Sequence, residues 1–172
     1  MNAIVVYESI YGNTRAIAEA IAEGLGGAPV MTPAEVSAEA MHPDLLVVGG
    51  PTHIHGMATD RSRRVALQTA GADAPEGPVL RDWLSQLPKA PGARAAAFDT
   101  RLNKAEWLTG AASLRVAKRL HHQGYTVTDT ASFRVTESEG PLVDGELDRA
   151  RQWGAELAAA TPTDTAVAEL EV

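Results

Sequence analysis

The length and composition of the chain suit one globular domain. Its 172 residues are 45% hydrophobic and 22% charged, which is too apolar for a disordered segment. The chain contains no cysteine, so disulfides, thiolate metal sites and cysteine nucleophiles are excluded, and redox chemistry would require a bound cofactor. A net charge of -7 disfavours nucleic acid and anionic membranes as partners, and no apolar run approaches the ~20 residues that span a bilayer. Because the chain starts in a strand-like run without a signal sequence, we expect a cytoplasmic protein.

The hydrophobic pattern predicts strands and helices in alternation. The strand segments are short runs rich in Val, Ile or Ala, whereas the helical segments repeat apolar residues every three or four positions. The predicted strands cover 3–7, 28–31, 44–50, 93–98 and 125–135, the last of them bent near Asp129. The predicted helices cover 13–25, a region from 60 to 87 that is broken at 71–78, 111–123 and 145–159. Residues 32–35 have the sequence of a helix capping box, with proline at the first helical position.

This order of elements predicts an α/β fold. Five strands that alternate with helices indicate a doubly wound parallel sheet with helices on both faces, in three layers. Right-handed crossovers leave two common strand orders for such a sheet. We expect the domain to cover residues 1–160 and residues 161–172, which mix Thr, Pro, Asp and Ala, to form a frayed tail.

The loop after the first strand has the features of an anion site. Ser9 and Thr14 offer hydroxyl groups, Gly12 lets the backbone approach a ligand closely, and the loop enters a predicted helix at Asn13. Unpaired N–H groups and the positive end of the helix dipole suit a phosphate there without a lysine. The Gly-Lys-Ser/Thr of a Walker loop and the three glycines of a dinucleotide fingerprint are both missing. The alternative is a plain strand-turn-helix closed by an N-cap.

The same segment resembles the N-terminal signature of the flavodoxin family. The residues that match it in type and spacing are Val5, Val6, Tyr7, Ser9, Gly12, Thr14, Ala18 and Ile21. The resemblance extends over residues 3–159 and implies a short-chain flavodoxin-like domain with strand order 2-1-3-4-5 that binds flavin mononucleotide (FMN). The FMN phosphate contacts that it implies are Ser9, Ile10, Tyr11, Gly12, Asn13 and Thr14. Tyr11 departs from the usual Thr or Ser, and loops with this tyrosine are similar to other flavodoxin-like proteins, including quinone-linked protoporphyrinogen oxidases.

A second loop, after the strand at 44–50, is expected to meet the flavin ring. Its Gly-Pro-Thr run resembles the flavodoxin segment in which the threonine and neighbouring backbone contact the flavin. The expected contacts are Pro51, Thr52, His53, Ile54, His55 and Gly56. Two histidines so close together raise the alternatives of a metal site or of ordinary surface histidines. No third ligand lies nearby in the sequence, so we predict no metal.

A third loop, after Phe98, is expected to supply Asp99, Thr100, Arg101 and Trp107. Family members usually place an aromatic residue here, so Trp107 either stacks on the flavin or packs under the next helix. Arg101 and Lys104 bring positive charge. A cation near the ring would favour the anionic reduced flavin, and the alternative is that both are solvated loop charges.

The resemblance implies a function in electron transfer, with a redox partner protein or a small-molecule electron acceptor. An alternative is an FMN-dependent reductase or oxidase that acts on a quinone or another small molecule. A third interpretation is a flavodoxin-like module that has lost its cofactor, against which the intact loop from Ser9 to Thr14 counts. We assign no catalytic side chain, because the cofactor carries the chemistry in proteins of this kind.

Overall fold

The computed structural model describes residues 1–36, 42–53, 56–57, 78–105 and 109–160, with only the backbone described at 53, 56 and 57. The strands are β1 (Ala3–Tyr7), β2 (Val30–Met31), β3 (Leu45–His53), β4 (Gly56–Met57), β5 (Arg94–Leu102) and β6 (Thr126–Val135). The helices are α1 (Asn13–Gly24), α2 (Leu80–Gln86), α3 (Ala112–His122) and α4 (Glu146–Ala159). No helix within these ranges is long and apolar enough to cross a membrane.

The long strands form a parallel sheet in the order β2-β1-β3-β5-β6. This confirms the predicted order 2-1-3-4-5, with the two-residue β4 added as an antiparallel partner of the end of β3. The order reverses beside β1, so the connections that follow β1 and β3 run to opposite faces of the sheet. A crevice is therefore expected at the carboxyl ends of these two strands.

Each face of the sheet is buried under helices. Neighbouring residues of β1 point to opposite faces, so Val5 joins the core beneath α1 and α4 and Val6 joins the core beneath α2 and α3. Both side chains have 0% exposure. Burial on both sides is why the parallel strands are continuous apolar runs in the sequence.

Helices α1 and α4 meet backbone to backbone at two glycines. A Cβ atom on Gly24 would lie 2.0 Å from the Arg151 carbonyl oxygen, and one on Gly154 would lie 2.2 Å from the Ile21 carbonyl oxygen. Any larger residue at either position would force the helices apart. This contact sets the depth at which α1 lies against the sheet.

The structure corrects the ends of two predicted strands, because β3 continues beyond residue 50 to His53 and β5 continues beyond Phe98. We expected β5 to end at Phe98 and a loop to follow. Instead, Asp99, Thr100 and Arg101 continue the strand and pair with β6. These three side chains are polar, so the apolar run that predicts a buried strand ends at Phe98.

The predicted capping box at 32–35 and the predicted bend in the last strand had different outcomes. Glu35 accepts hydrogen bonds from the N–H of Thr32 at 2.7 Å and from its hydroxyl at 2.9 Å, but residues 33–36 form a turn rather than the start of a helix. The predicted bend near Asp129 is confirmed by a shift of register, because Val127 and Asp129 pair with the consecutive residues Ala95 and Ala96. The predicted tail at 161–172 and the region 60–77 lie outside the described residues.

Candidate cofactor-binding cleft

A cleft of about 480 Å³ opens at the carboxyl ends of β1, β3 and β5. Its apolar wall consists of Ile10, Pro51, Leu102 and Val135. Its neutral polar wall consists of Ser9, Tyr11, Asn13, Thr14, Thr52, Thr100, Thr109 and Ser138. Two cations, Arg101 and Lys104, complete the described lining, and none of these described residues is a carboxylate. A cavity that combines an apolar wall with neutral polar groups and positive charge suits an anionic organic ligand.

The loop after β1 places the N-terminus of α1 at this cleft. Gly12 has a φ of 87°, a left-handed conformation that glycine adopts without strain, and its N–H donates to Ser9 Oγ at 3.1 Å. Within the described part of the chain, no side chain caps the N-terminus of α1. The first-turn N–H groups have no acceptor inside a helix, so they are available to an anion. The alternative of a turn closed by an N-cap side chain is therefore wrong for these residues.

Side chains of the first turn of α1 hold the helix against β5 and against the loop after β6. Thr14 Oγ1 and Thr100 Oγ1 are 2.7 Å apart in a buried hydrogen bond. Asn13 Nδ2 donates to the carbonyl oxygen of Glu139 at 3.0 Å, which draws the loop after β6 to the cleft. Ser138 reaches the lining through this contact.

The N-terminus of α3, by contrast, is satisfied by the neighbouring strands. Thr52 Oγ1 accepts the N–H of Ala112 at 2.9 Å. Asp99 Oδ2 accepts the N–H of Ser113 at 2.8 Å and its hydroxyl at 2.9 Å. Asp99 has 0% exposure and is absent from the cleft lining, so its carboxylate is directed to α3.

The positive charge of the cleft comes from β5 and the residues after it. Arg101 is only 4% exposed and donates to Thr109 Oγ1 at 3.1 Å and to the Gly110 carbonyl oxygen at 3.4 Å. Its interpretation as a solvated loop charge is wrong, whereas Lys104 is exposed to solvent. The charge of Arg101 also acts on Arg134, a neighbour outside the cleft lining. Burial and repulsion from Arg101 hold the pKa of Arg134 below its ordinary value. The described charges of the cleft therefore favour an anion.

The structure brings most of the predicted site residues together. Those that line the cleft are Ser9, Ile10, Tyr11, Asn13, Thr14, Pro51, Thr52, Thr100 and Arg101. Gly12 forms the turn beneath them, while the backbones of His53 and Gly56 pair between β3 and β4. Ile54, His55 and Trp107 lie outside the described residues, so their predicted contacts stay predictions.

Sequence reasoning missed the lining residues Leu102, Thr109, Val135 and Ser138. None of them belongs to a motif, and Val135 and Ser138 are far along the chain from the first loop. The available signal was their position, because the carboxyl ends of parallel strands meet at one edge of the sheet. Among the described residues, no group of three His, Cys, Asp or Glu side chains is arranged to hold a metal ion.

The fold and the cleft together define a class of protein. A doubly wound parallel sheet with an uncapped helix N-terminus at its switch point is the architecture of α/β proteins that bind a phosphate-bearing cofactor. The sequence profile of the flavodoxin family matches residues 5–104. The chain belongs to the flavodoxin family. Proteins of this family bind FMN, and FMN is the cofactor of this chain.

Solved flavodoxins share this fold at low sequence identity. A flavodoxin from the domain Archaea superposes with a TM-score of 0.61 at 22% identity, over 92% of this chain and 96% of that one. Flavodoxin 1 from Bacillus cereus gives 0.65 at 17% identity, over 92% and 99% of the two chains. The two-electron reduced flavodoxin of Megasphaera elsdenii gives 0.53 at 23% identity, over 90% and 98%. No curated protein matches the chain significantly.

Proposed function

We propose that the protein is an electron carrier whose FMN lies in the cleft with its phosphate at the N-terminus of α1. FMN supplies reversible uptake of electrons, and the protein supplies binding, orientation and electrostatics. The observation that carries this proposal is the uncapped first turn of α1, which opens on a cleft without a carboxylate among its described residues. We propose a redox partner protein as the source and acceptor of electrons, and a cytoplasmic location stays a prediction of the sequence.

The proposed FMN contacts divide into residues that would hold the phosphate and residues that would meet the ring. Ser9, Gly12, Asn13 and Thr14 would hold the phosphate with backbone N–H and hydroxyl groups, as an anion at a helix N-terminus requires. Ile10 and Tyr11 belong to the same phosphate loop, and the residues that we propose to contact the ring are Pro51, Thr52, Thr100 and Arg101. Asp99 would position α3 rather than touch FMN, because the hydrogen bonds described for its carboxylate are both from Ser113.

Substitution of Gly12 tests the position of the phosphate. Among the described residues other than its two chain neighbours, none has an atom within 4 Å of a Cβ built at Gly12, so a small side chain fits there. Asp tolerates the left-handed conformation better than most residues. In Gly12→Asp, repulsion between two negative charges should weaken FMN binding by about 100-fold, as measured by quenching of flavin fluorescence.

The matched control is Gly12→Asn, which has the same shape and conformational tolerance without the charge. We expect it to retain most of the affinity. Equal losses in the two variants would show that backbone shape, and not phosphate charge, governs this position. Unchanged affinity in Gly12→Asp would refute the proposed phosphate site.

A second candidate function is an FMN-dependent reductase that acts on a quinone or another small molecule. The observation that favours it is the pair of cations at the cleft, Arg101 and Lys104, since nearby positive charge favours an anionic reduced cofactor. A reductive titration followed by visible spectroscopy separates the candidates. A carrier takes up electrons one at a time, whereas the reductase takes up two together and turns over a quinone faster than free FMN does.

A further inference from the structure

A second concave surface lies between α2 and α3. We call it the basic groove, and its lining consists of Arg81, Leu84, Ser85, Arg115, Lys118, Arg119, His122 and Gln123. It has a volume of about 500 Å³, and none of its residues belongs to the lining of the cofactor cleft. The groove is therefore separate from the proposed site of electron exchange.

The basic side chains of this groove form one row along α3. Arg115, Lys118, Arg119 and His122 have the spacing of residues that share one face of a helix. The row is about 10 Å long at the rise of an α-helix. Arg81 on α2 supplies the opposite wall. The row thus presents positive charge once per helical turn.

These charges are not neutralised within the described part of the chain. None of the described ion pairs involves Arg81, Arg115, Lys118 or Arg119. The Nε atom of Arg81 is buried without a hydrogen-bond partner among those residues. The nearby Asp82 does not line the groove. A cluster of cations without an ion pair among the described residues, on a chain of net charge -7, means that charge is unevenly distributed over the surface.

We propose that the basic groove binds an acidic segment of a partner protein, with carboxylates spaced at helical turns. A small phosphate ligand fits less well, because the basic side chains are spread over about 10 Å along α3 rather than gathered around one point. The last carbonyl groups of α3 lie at one end of the groove. The Lys89 ammonium already donates to one of them, the carbonyl of His122. Nucleic acid and an anionic membrane suit the groove less, because their negative charge extends over a wider area than the groove and would meet a chain whose net charge is -7. A partner held here leaves the cofactor cleft accessible.

A synthetic acidic peptide tests the surface. The probe is a fluorescein-labelled helical peptide with glutamates at positions i, i+3, i+4 and i+7, titrated into the FMN-loaded protein. We expect binding that weakens with added salt and falls by about tenfold in Arg115→Glu/Lys118→Glu. Both side chains are exposed, so the variant should keep its circular dichroism spectrum and its affinity for FMN.

Matched controls make the result decisive. Arg115→Lys/Lys118→Arg preserves the charges and should preserve peptide binding, and the same peptide with glutamine for glutamate should bind poorly. The proposal is overturned if charge reversal leaves peptide binding unchanged or if the glutamine peptide binds equally well. It is also overturned if a DNA duplex, phosphatidylserine vesicles or inorganic pyrophosphate binds the groove more tightly than the peptide does.

Discussion

Helices α1 and α3 begin at the same edge of the sheet, yet side chains of the described residues cap only the N-terminus of α3. The first turn of α3 receives acceptors from two strands, through Thr52 and Asp99. The first turn of α1 receives no capping side chain within the described residues, and Asn13 and Thr14 line the cleft there. Within the described residues, the protein therefore closes one helix end with its own side chains and leaves the other uncapped.

The difference shows how an open helix end can be kept in place. An uncapped helix lacks about 1 kcal/mol of stabilisation that a capping side chain supplies. Helix α1 is held instead by its packing, with Ile17 and Ile21 fully buried and Gly24 in close contact with α4. We infer that α3 depends on its caps and that α1 depends on the α4 contact.

Removal of the cap of α3 should have the largest effect on stability. Asp99→Ala leaves buried donors of Ser113 without an acceptor and should lower the free energy of unfolding by about 3 kcal/mol. Urea denaturation measures this loss. Asp99→Asn keeps an oxygen acceptor and should recover part of it. If Asp99→Ala instead weakens FMN binding while the stability is unchanged, the carboxylate serves the cofactor and not α3.

The contact that holds α1 is tested by Gly154→Ala. Helix propensity alone predicts that alanine stabilises this position by about 1 kcal/mol. The new methyl group would meet the carbonyl oxygen of Ile21, so we expect a loss of about 2 kcal/mol in thermal or urea unfolding. The control, Ala155→Gly on an exposed position of α4, measures propensity in the same helix. A gain of stability in Gly154→Ala would contradict the close helix contact.

The start of α4 offers a smaller, pH-dependent test. Burial opposes the ionisation of Glu146, but hydrogen bonds from Arg149 and from the N–H of Arg134 outweigh it, so its pKa lies below the ordinary value. Ionised Glu146 therefore stabilises the fold above the ordinary glutamate pKa, and this stability is lost as the pH falls through the lowered pKa.

Glu146→Gln should accordingly be less stable than the natural protein at pH 7, by about 1.5 kcal/mol, with a difference that shrinks below about pH 4. Urea denaturation at a series of pH values measures this. Arg149→Gln removes the partner charge and should give a similar but smaller dependence. A difference between the natural protein and Glu146→Gln that does not vary with pH would mean that Glu146 contributes by packing rather than by charge.

The sequence predicted the sheet well but the polar parts of the site less well. Continuous apolar runs such as β1 and β3 arise from burial on both faces, which depends on the residues themselves. The extension of β5 through Asp99 and Arg101 was missed, because their strand pairing requires β6, which lies far along the chain. The capping box at Thr32 shows the same limit, since its hydrogen bonds formed around a turn.

The sequence by itself determined the alternation of strands and helices and predicted an anion site in the loop from Ser9 to Thr14, because both follow from local patterns. Only the tertiary structure decided that Thr52 and Asp99 close α3, that α1 stays open, and that Val135 and Ser138 reach the cleft. Those contacts join segments distant in the chain. They depend on the register of parallel strands and on the depth of each helix, which no single segment specifies.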